Sequence, residues 1–181
     1  KRDWSSDVCS SDLDSNGNYQ TFTIGAGSGS HYQVVDELPN NGVTDYLVST
    51  ATSGNAETEG CISGASAGIT GTVNAVKIYT EVRRDGGTNG TCRARLRSAS
   101  TDSDTAADYS TTGSFAGLFL LSTTDPATGS AWVLSALDSL ECGVVEKDGT
   151  NKTRWTSGCI MVDYTPASAT TNFLTLMGVG T

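Results

Sequence analysis

Residues Val76–Arg97, VKIYTEVRRDGGTNGTCRARLR, hold the clearest pattern in the chain. In the first part Val76, Ile78, Thr80 and Val82 point one way and Lys77, Tyr79, Glu81 and Arg83 the other. A period of two is that of a strand with one dry and one wet face. After a turn-rich segment, Asp85-Gly-Gly-Thr-Asn-Gly90, the same period returns, with Cys92, Ala94 and Leu96 alternating against Arg93, Arg95 and Arg97. Gly and Asn tolerate the positive φ that tight turns use. The pattern predicts an antiparallel hairpin with a buried face and a solvated one.

On either side of this pair the alternation recurs. Leu140, Cys142 and Val144 alternate with Glu141 and Val145, the turn Asp148-Gly-Thr-Asn151 follows, and Arg154–Tyr164 returns through Trp155, Ile160 and Val162. This reads as a second hairpin. Further strands are predicted at 19–24, 32–35, 45–49 and 115–121, and one short helix at Ser135–Leu140, with Val133, Leu137 and Leu140 facing the core. Short strands between Gly, Ser, Thr, Asn and Asp clusters predict an all-β fold, a single antiparallel sandwich of the jelly-roll or concanavalin-like kind.

The chain has 181 residues, one domain's length, and a formal net charge of −9. That balance argues against a general nucleic-acid binder, which needs clustered Lys and Arg against phosphates. The longest apolar run, 115–121, falls well short of the roughly 20 residues of a bilayer-spanning helix. Asp3–Leu13, DWSSDVCSSDL, resembles the translation of a short-read sequencing adapter. Residues 1–13 are therefore set aside as non-native, 14–165 assigned to the sandwich, and 166–181 to a C-terminal extension or extra strand.

The chemistry-bearing residues form no enzymatic constellation. The single His, His31, has no paired nucleophile pattern and there is no GxSxG elbow. Glu57 and Glu59 alternate, as paired glycosidase carboxylates do, but in a stretch that reads as loop; Asp36-Glu37 is a second acidic pair. Asp102, Asp104 and Asp108 make an acidic loop that lacks the remaining ligands and the Gly of a calcium-binding hand. No CxxC pair points to zinc, and apart from calcium on such an acidic loop no cofactor is expected. Cys142 and Cys159, on the two arms of the second predicted hairpin, are a candidate disulfide, against the plainer reading of buried free thiols. Asn89-Gly-Thr91 and Asn151-Lys-Thr153 match the N-glycosylation pattern but recur by chance in such turns, and carry no assignment.

Charge segregation is the most unusual feature. Six of the eleven Lys and Arg fall in the first hairpin. Lys77, Arg83, Arg93, Arg95 and Arg97 are thus a candidate interface for an acidic neighbour or a second copy, with an anionic glycan or DNA as a further reading, against the plainer one of a solvated face.

Three segments resemble a group of tailed-phage virion structural proteins: HYQVVDELPNNGVTDYLVS at 31–49, the Arg-rich strand pair at 73–97, and TTDPATGSAWVLSALDSLECGVV at 123–145. The resemblance implies a non-enzymatic head or tail component of the virion. Its partners would be other virion proteins or copies of itself, and it would be assembled in the host cytoplasm. Within the third segment, Pro126 suits a turn start, Gly129 a positive φ, Trp132 an anchor beneath the loop, and Gly143 a bend or close approach. The alternative expectation is a carbohydrate-binding sandwich of a phage fibre or a secreted protein. That needs exposed aromatics, for which Tyr79 and Trp155 are the candidates.

Overall fold

A computed structural model describes residues 8–10, 13–36, 44–50, 57–63, 69–147 and 152–167. The chain is a two-sheet antiparallel sandwich, as the alternation predicts. In chain order the elements are β1 (Val8–Ser10), β2 (Leu13–Gln20), β3 (Thr23–Ala26), α1 (His31–Val35), β4 (Tyr46–Val48), β5 (Glu57–Ser63) and β6 (Gly71–Asp85), followed by β7 (Thr91–Ser98), β8 (Thr101–Asp104), β9 (Tyr109–Ser110), β10 (Ala116–Ser122), α2 (Leu134–Leu137), β11 (Glu141–Glu146) and β12 (Lys152–Pro166). The first sheet runs β10-β6-β12-β4-β3, with β1 also on β12. The second runs β2-β5-β11-β7-β8, with β9 also on β7.

The inward series of both sheets form one core. Val76, Ile78 and Val82 come from β6, Cys92, Ala94 and Leu96 from β7, and Trp155, Ile160 and Val162 from β12. The β6 and β7 residues are alternate ones, because a pleated strand sends successive side chains to opposite faces. On β12 the register shifts between Trp155 and Ser157, and the alternation resumes beyond it.

Two pairings differ from the sequence reading. β6 and β7 are not a hairpin: β6 pairs with β10 and β12, and β7 with β11, β8 and β9. β11 and β12 likewise lie in opposite sheets. The segment 86–90 therefore crosses from one layer to the other rather than turning back within a sheet. Alternation reports which side of a strand is dry, and a strand arching to the other sheet shows the same period as one folding back beside itself.

The region 32–35, predicted as strand, is helical. Ser30 and Gln33 form a capping box, and the adjacent Val34 and Val35 are both buried, which a strand with one wet face does not allow. Glu57 and Glu59 lie on β5, not in a loop, opposite Glu146 and Val144. The expected helix is a single turn, and Val133 before it is 57% exposed while Leu137 and Leu140 reach the core.

Of the set-aside residues 1–13, only 8–10 and 13 are among the described ones. Val8–Ser10 pairs with Val162–Ile160, and Leu13 is 2% exposed within the core. The C-terminal stretch from residue 168 onward, the turn at 148–151 and Glu37 lie outside the described residues. Among the described residues no helix is long and apolar enough to cross a membrane.

Candidate functional site

The outer face of the first sheet is set by the register of its strands. Gly117, Phe119 and Leu121 of β10 stand opposite Glu81, Tyr79 and Lys77 of β6. The Tyr79 ring lies across Gly117, where any side chain would strike it. A side chain at 117 would therefore push the Tyr79 ring out of this position, and glycine leaves it room. Phe119, 52% exposed, packs beside it with ring centroids 5.0 Å apart and planes at 44°. The Lys77 ammonium sits 4.4 Å from the Phe119 ring centre and the Arg83 guanidinium 5.1 Å from that of Phe115. Partial burial, and then the neighbouring Glu81 carboxylate and its hydrogen bond, push the Tyr79 hydroxyl up to about 12. Tyr79 thus stays a neutral hydrogen-bonding group in all ordinary buffers.

The motif recurs at the other side of this sheet. The ring of Tyr46 on β4 lies over Gly25, at the register irregularity of the neighbouring β3, and carries the Arg154 guanidinium at 4.0 Å. Arg154 is held in turn by Asp85 at 2.6 Å. The face thus presents flat aromatic surface bordered by cations, carboxylates and hydroxyls. Such a surface can stack on the C–H face of a ring-shaped ligand while its border hydrogen-bonds the rim.

The outer face of the second sheet is different in kind. Arg93, Arg95 and Arg97 line β7 and are met by acids. Arg93 pairs with Asp108 at 2.5 Å, Arg95 with Asp104 at 2.6 Å and Asp102 at 2.9 Å, and Arg97 with Asp102 at 2.6 Å. The Tyr19 ring stacks on Arg97 at 4.8 Å. Glu141, its side chain 3% exposed, accepts hydrogen bonds from the backbone and side-chain amides of Asn18 and lies 3.5 Å from Arg97 Nε. Tyr19, Gly60, Gly143, Arg95, Arg97 and Glu141 surround a depression with no room for a water molecule.

These contacts correct the single basic stripe. Lys77 and Arg83 belong to one sheet and Arg93, Arg95 and Arg97 to the other, so the five do not share a face. The three β7 arginines are already matched by neighbouring carboxylates. The acidic loop is spent in the same contacts: Asp102, Asp104 and Asp108 are the arginines' partners, and no group of three metal-ligating side chains occurs among the described residues.

Of the two stacking candidates, Tyr79 is on the surface and Trp155 is not. Trp155 is 0% exposed, faces inward opposite Val82 and Leu47, and donates its indole N–H to the Ser157 carbonyl at 2.7 Å. Cys142 and Cys159 are not joined in a disulfide. Cys142 faces the core opposite Leu96, whereas Cys159 stands opposite Tyr79 on the other side of the first sheet, so the two do not meet. Phe119, Tyr46 and the glycines beneath the rings escaped the sequence reading. The apolar run 115–121 buries one side and exposes the other, and nothing in an all-apolar run tells the two apart.

Of the loop residues read from the third segment, Gly129 has φ +68°, and Trp132 is buried with its indole N–H on the Ser122 carbonyl at 3.0 Å. His31 opens α1, and Asn89 accepts a hydrogen bond from Arg84 at 3.0 Å.

No protein-family model and no curated protein matches the chain. Among solved structures it is similar to the CBM22-1 xylan-binding domain of Paenibacillus barcinonensis Xyn10C, at 10% identity and TM-score 0.48, covering 88% of this chain and 86% of that one. It is also similar to the CBM22-1–GH10 modules of Clostridium thermocellum Xyn10B complexed with xylohexaose, at 13% identity and TM-score 0.49, covering 87% of this chain and 28% of that one. A third is the enzymatically active domain of bacteriophage CBA120 tailspike protein 4, at 11% identity and TM-score 0.44, covering 89% of this chain and 20% of that one.

Proposed function

We propose that this chain is a non-catalytic glycan-binding β-sandwich whose site is the aromatic outer face of the first sheet. The observation that carries the reading is the Tyr79 ring laid across Gly117 beside the half-exposed Phe119. A sugar ring has an apolar C–H face and a polar hydroxyl rim. The face stacks on Tyr79 and Phe119, and the rim reaches Lys77 and Glu81 in the adjoining rows. An exposed apolar patch bordered by polar groups is the surface signature of a binding groove. In this reading the protein acts outside the cell.

The test is titration calorimetry against soluble plant and bacterial polysaccharides selected on a glycan array. Tyr79→Ala and Phe119→Ala should each weaken binding by about tenfold, the loss of one stacking contact of roughly 1 kcal/mol or more. An array without signal, or affinities the two variants leave untouched, would sink the reading.

A second reading, a tailed-phage particle component acting through subunit contacts, is favoured by a separate observation. The outer edge of β10 is uncharged and pairs with no described element.

A further inference from the structure

Among the described residues the main paths of the two sheets end in four strands, three of them guarded, and the off-path strands β1 and β9 are only three and two residues long. β3 is four residues long with a register irregularity between Ile24 and Ala26. β2 has two such irregularities against β5. β8 carries Asp102 and Asp104. Short length, bulges and charge are the devices by which sheets discourage further pairing. β10 has none of them. Its seven residues, AGLFLLS, contain no charge and no proline, and they pair with β6 in unbroken register from Ala116 to Ser122. On its other side the strand pairs with no described element. Of the three exposed large apolar side chains among the described residues, two, Phe119 and Leu121, stand on it.

We propose that β10 is the seam of a two-fold dimer, in which Ala116–Ser122 of two copies pair antiparallel about Phe119. The inference does not rest on the glycan reading. Centred on Phe119, the pairing sets Leu121 opposite the partner's Gly117, large against small. It also keeps like charges out of one row, although the charged residues stand about three strand spacings, roughly 14 Å, apart across the seam and form no ion pair. Leu121 shares its row with Lys77 and Gly117 shares its row with Glu81, so each Lys77 falls in line with the partner's Glu81. Parallel pairing in register would instead line Lys77 up with the partner's Lys77. The chain's net charge of −9 opposes self-association, and an uncharged strand flanked by these paired rows is a place where two copies meet without that repulsion. The two aromatic faces then join across the seam into one, with Phe119 of each copy at its centre.

Sedimentation velocity of the full chain over a rising concentration series, without glycan, tests the proposal. The expected result is a twofold mass, reverting to one copy in the double variant Phe119→Lys, Leu121→Lys with an unchanged circular dichroism spectrum. A second variant fixes the register. Phe119→Cys lies on the two-fold axis and should cross-link to itself under oxidised glutathione, whereas Ala116→Cys at the strand end should not. A chain that stays monomeric throughout overturns the proposal. So does an oligomer indifferent to the double variant, which would place the contact elsewhere. So does a dimer in which the Phe119→Cys variant forms no cross-link.

Discussion

Arg97 shows how much one side chain holds in this protein. It pairs with Asp102, stacks on Tyr19, donates to the Tyr19 hydroxyl at 3.1 Å and stands beside Glu141. Removing it leaves the buried Glu141 to the two Asn18 amides, and Asp102 to Arg95 and Tyr19. A charge left behind in a buried pair costs more than the pair contributes. Arg97→Ala should therefore lower stability by about 2–3 kcal/mol, somewhat below the figure for a fully buried pair, as read from urea midpoints. The buried thiols set a second expectation. Burial pushes Cys92 and Cys142 from 9.0 up to about 12. The folded chain holds these protons while the unfolded chain releases them above about pH 9. The stability they confer is complete below that pH and is lost as pH rises toward 12. Urea midpoints should fall steadily from pH 9 to 11, and Cys92→Ala with Cys142→Ala should flatten that fall.

Among elements, β10 and β6 carry the candidate site and show what alternation does and does not encode. Val76–Val82 announces its inward and outward residues without ambiguity, because hydrophobic and polar types alternate. Residues 115–121 announce only that they are apolar. The packing of Leu118 and Leu120 against the core and the exposure of Phe119 follow from which sheet face the neighbouring strand presents. Gly117 is the position on which the site turns. Gly117→Val suits a strand by propensity but places a branched side chain where the Tyr79 ring lies. Glycan affinity should fall by about tenfold, while the melting temperature moves by no more than about 4 °C. Calorimetry and thermal denaturation on one preparation separate the two effects.

For the whole molecule, the placing of β6 and β7, and of β11 and β12, in opposite sheets turns two apparent hairpins into links that tie the sheets together. One consequence is chemical. Cys142 and Cys159 are separated by the first sheet. The chain unfolded without reductant should therefore titrate as free thiols at both positions, and a peptide map showing a bridge between them would contradict the topology. Another consequence is energetic. Each of these strand pairs is divided between the two sheets, so neither sheet can leave the shared core without dragging a sequence neighbour along. The apolar residues of β6, β7 and β12 close over one another only when both layers are in place, which is the arrangement that gives a single domain one cooperative core.

Local periodicity alone carries the all-β class, the positions of β4, β6, β7, β10, β11 and β12, and the inward residues of Val76–Val82 and Cys92–Leu96, because each of these strands bears its pattern within itself. Which strands are neighbours is a property of the assembled sandwich. Assembly divided Lys77 and Arg83 from Arg93, Arg95 and Arg97, and matched the latter three with Asp102, Asp104 and Asp108. It also buried Trp155 and laid Tyr79 across Gly117 beside Phe119. The division, the burial and the aromatic site each depend on partners dozens of residues away, and a period of two holds no information about distance along the chain.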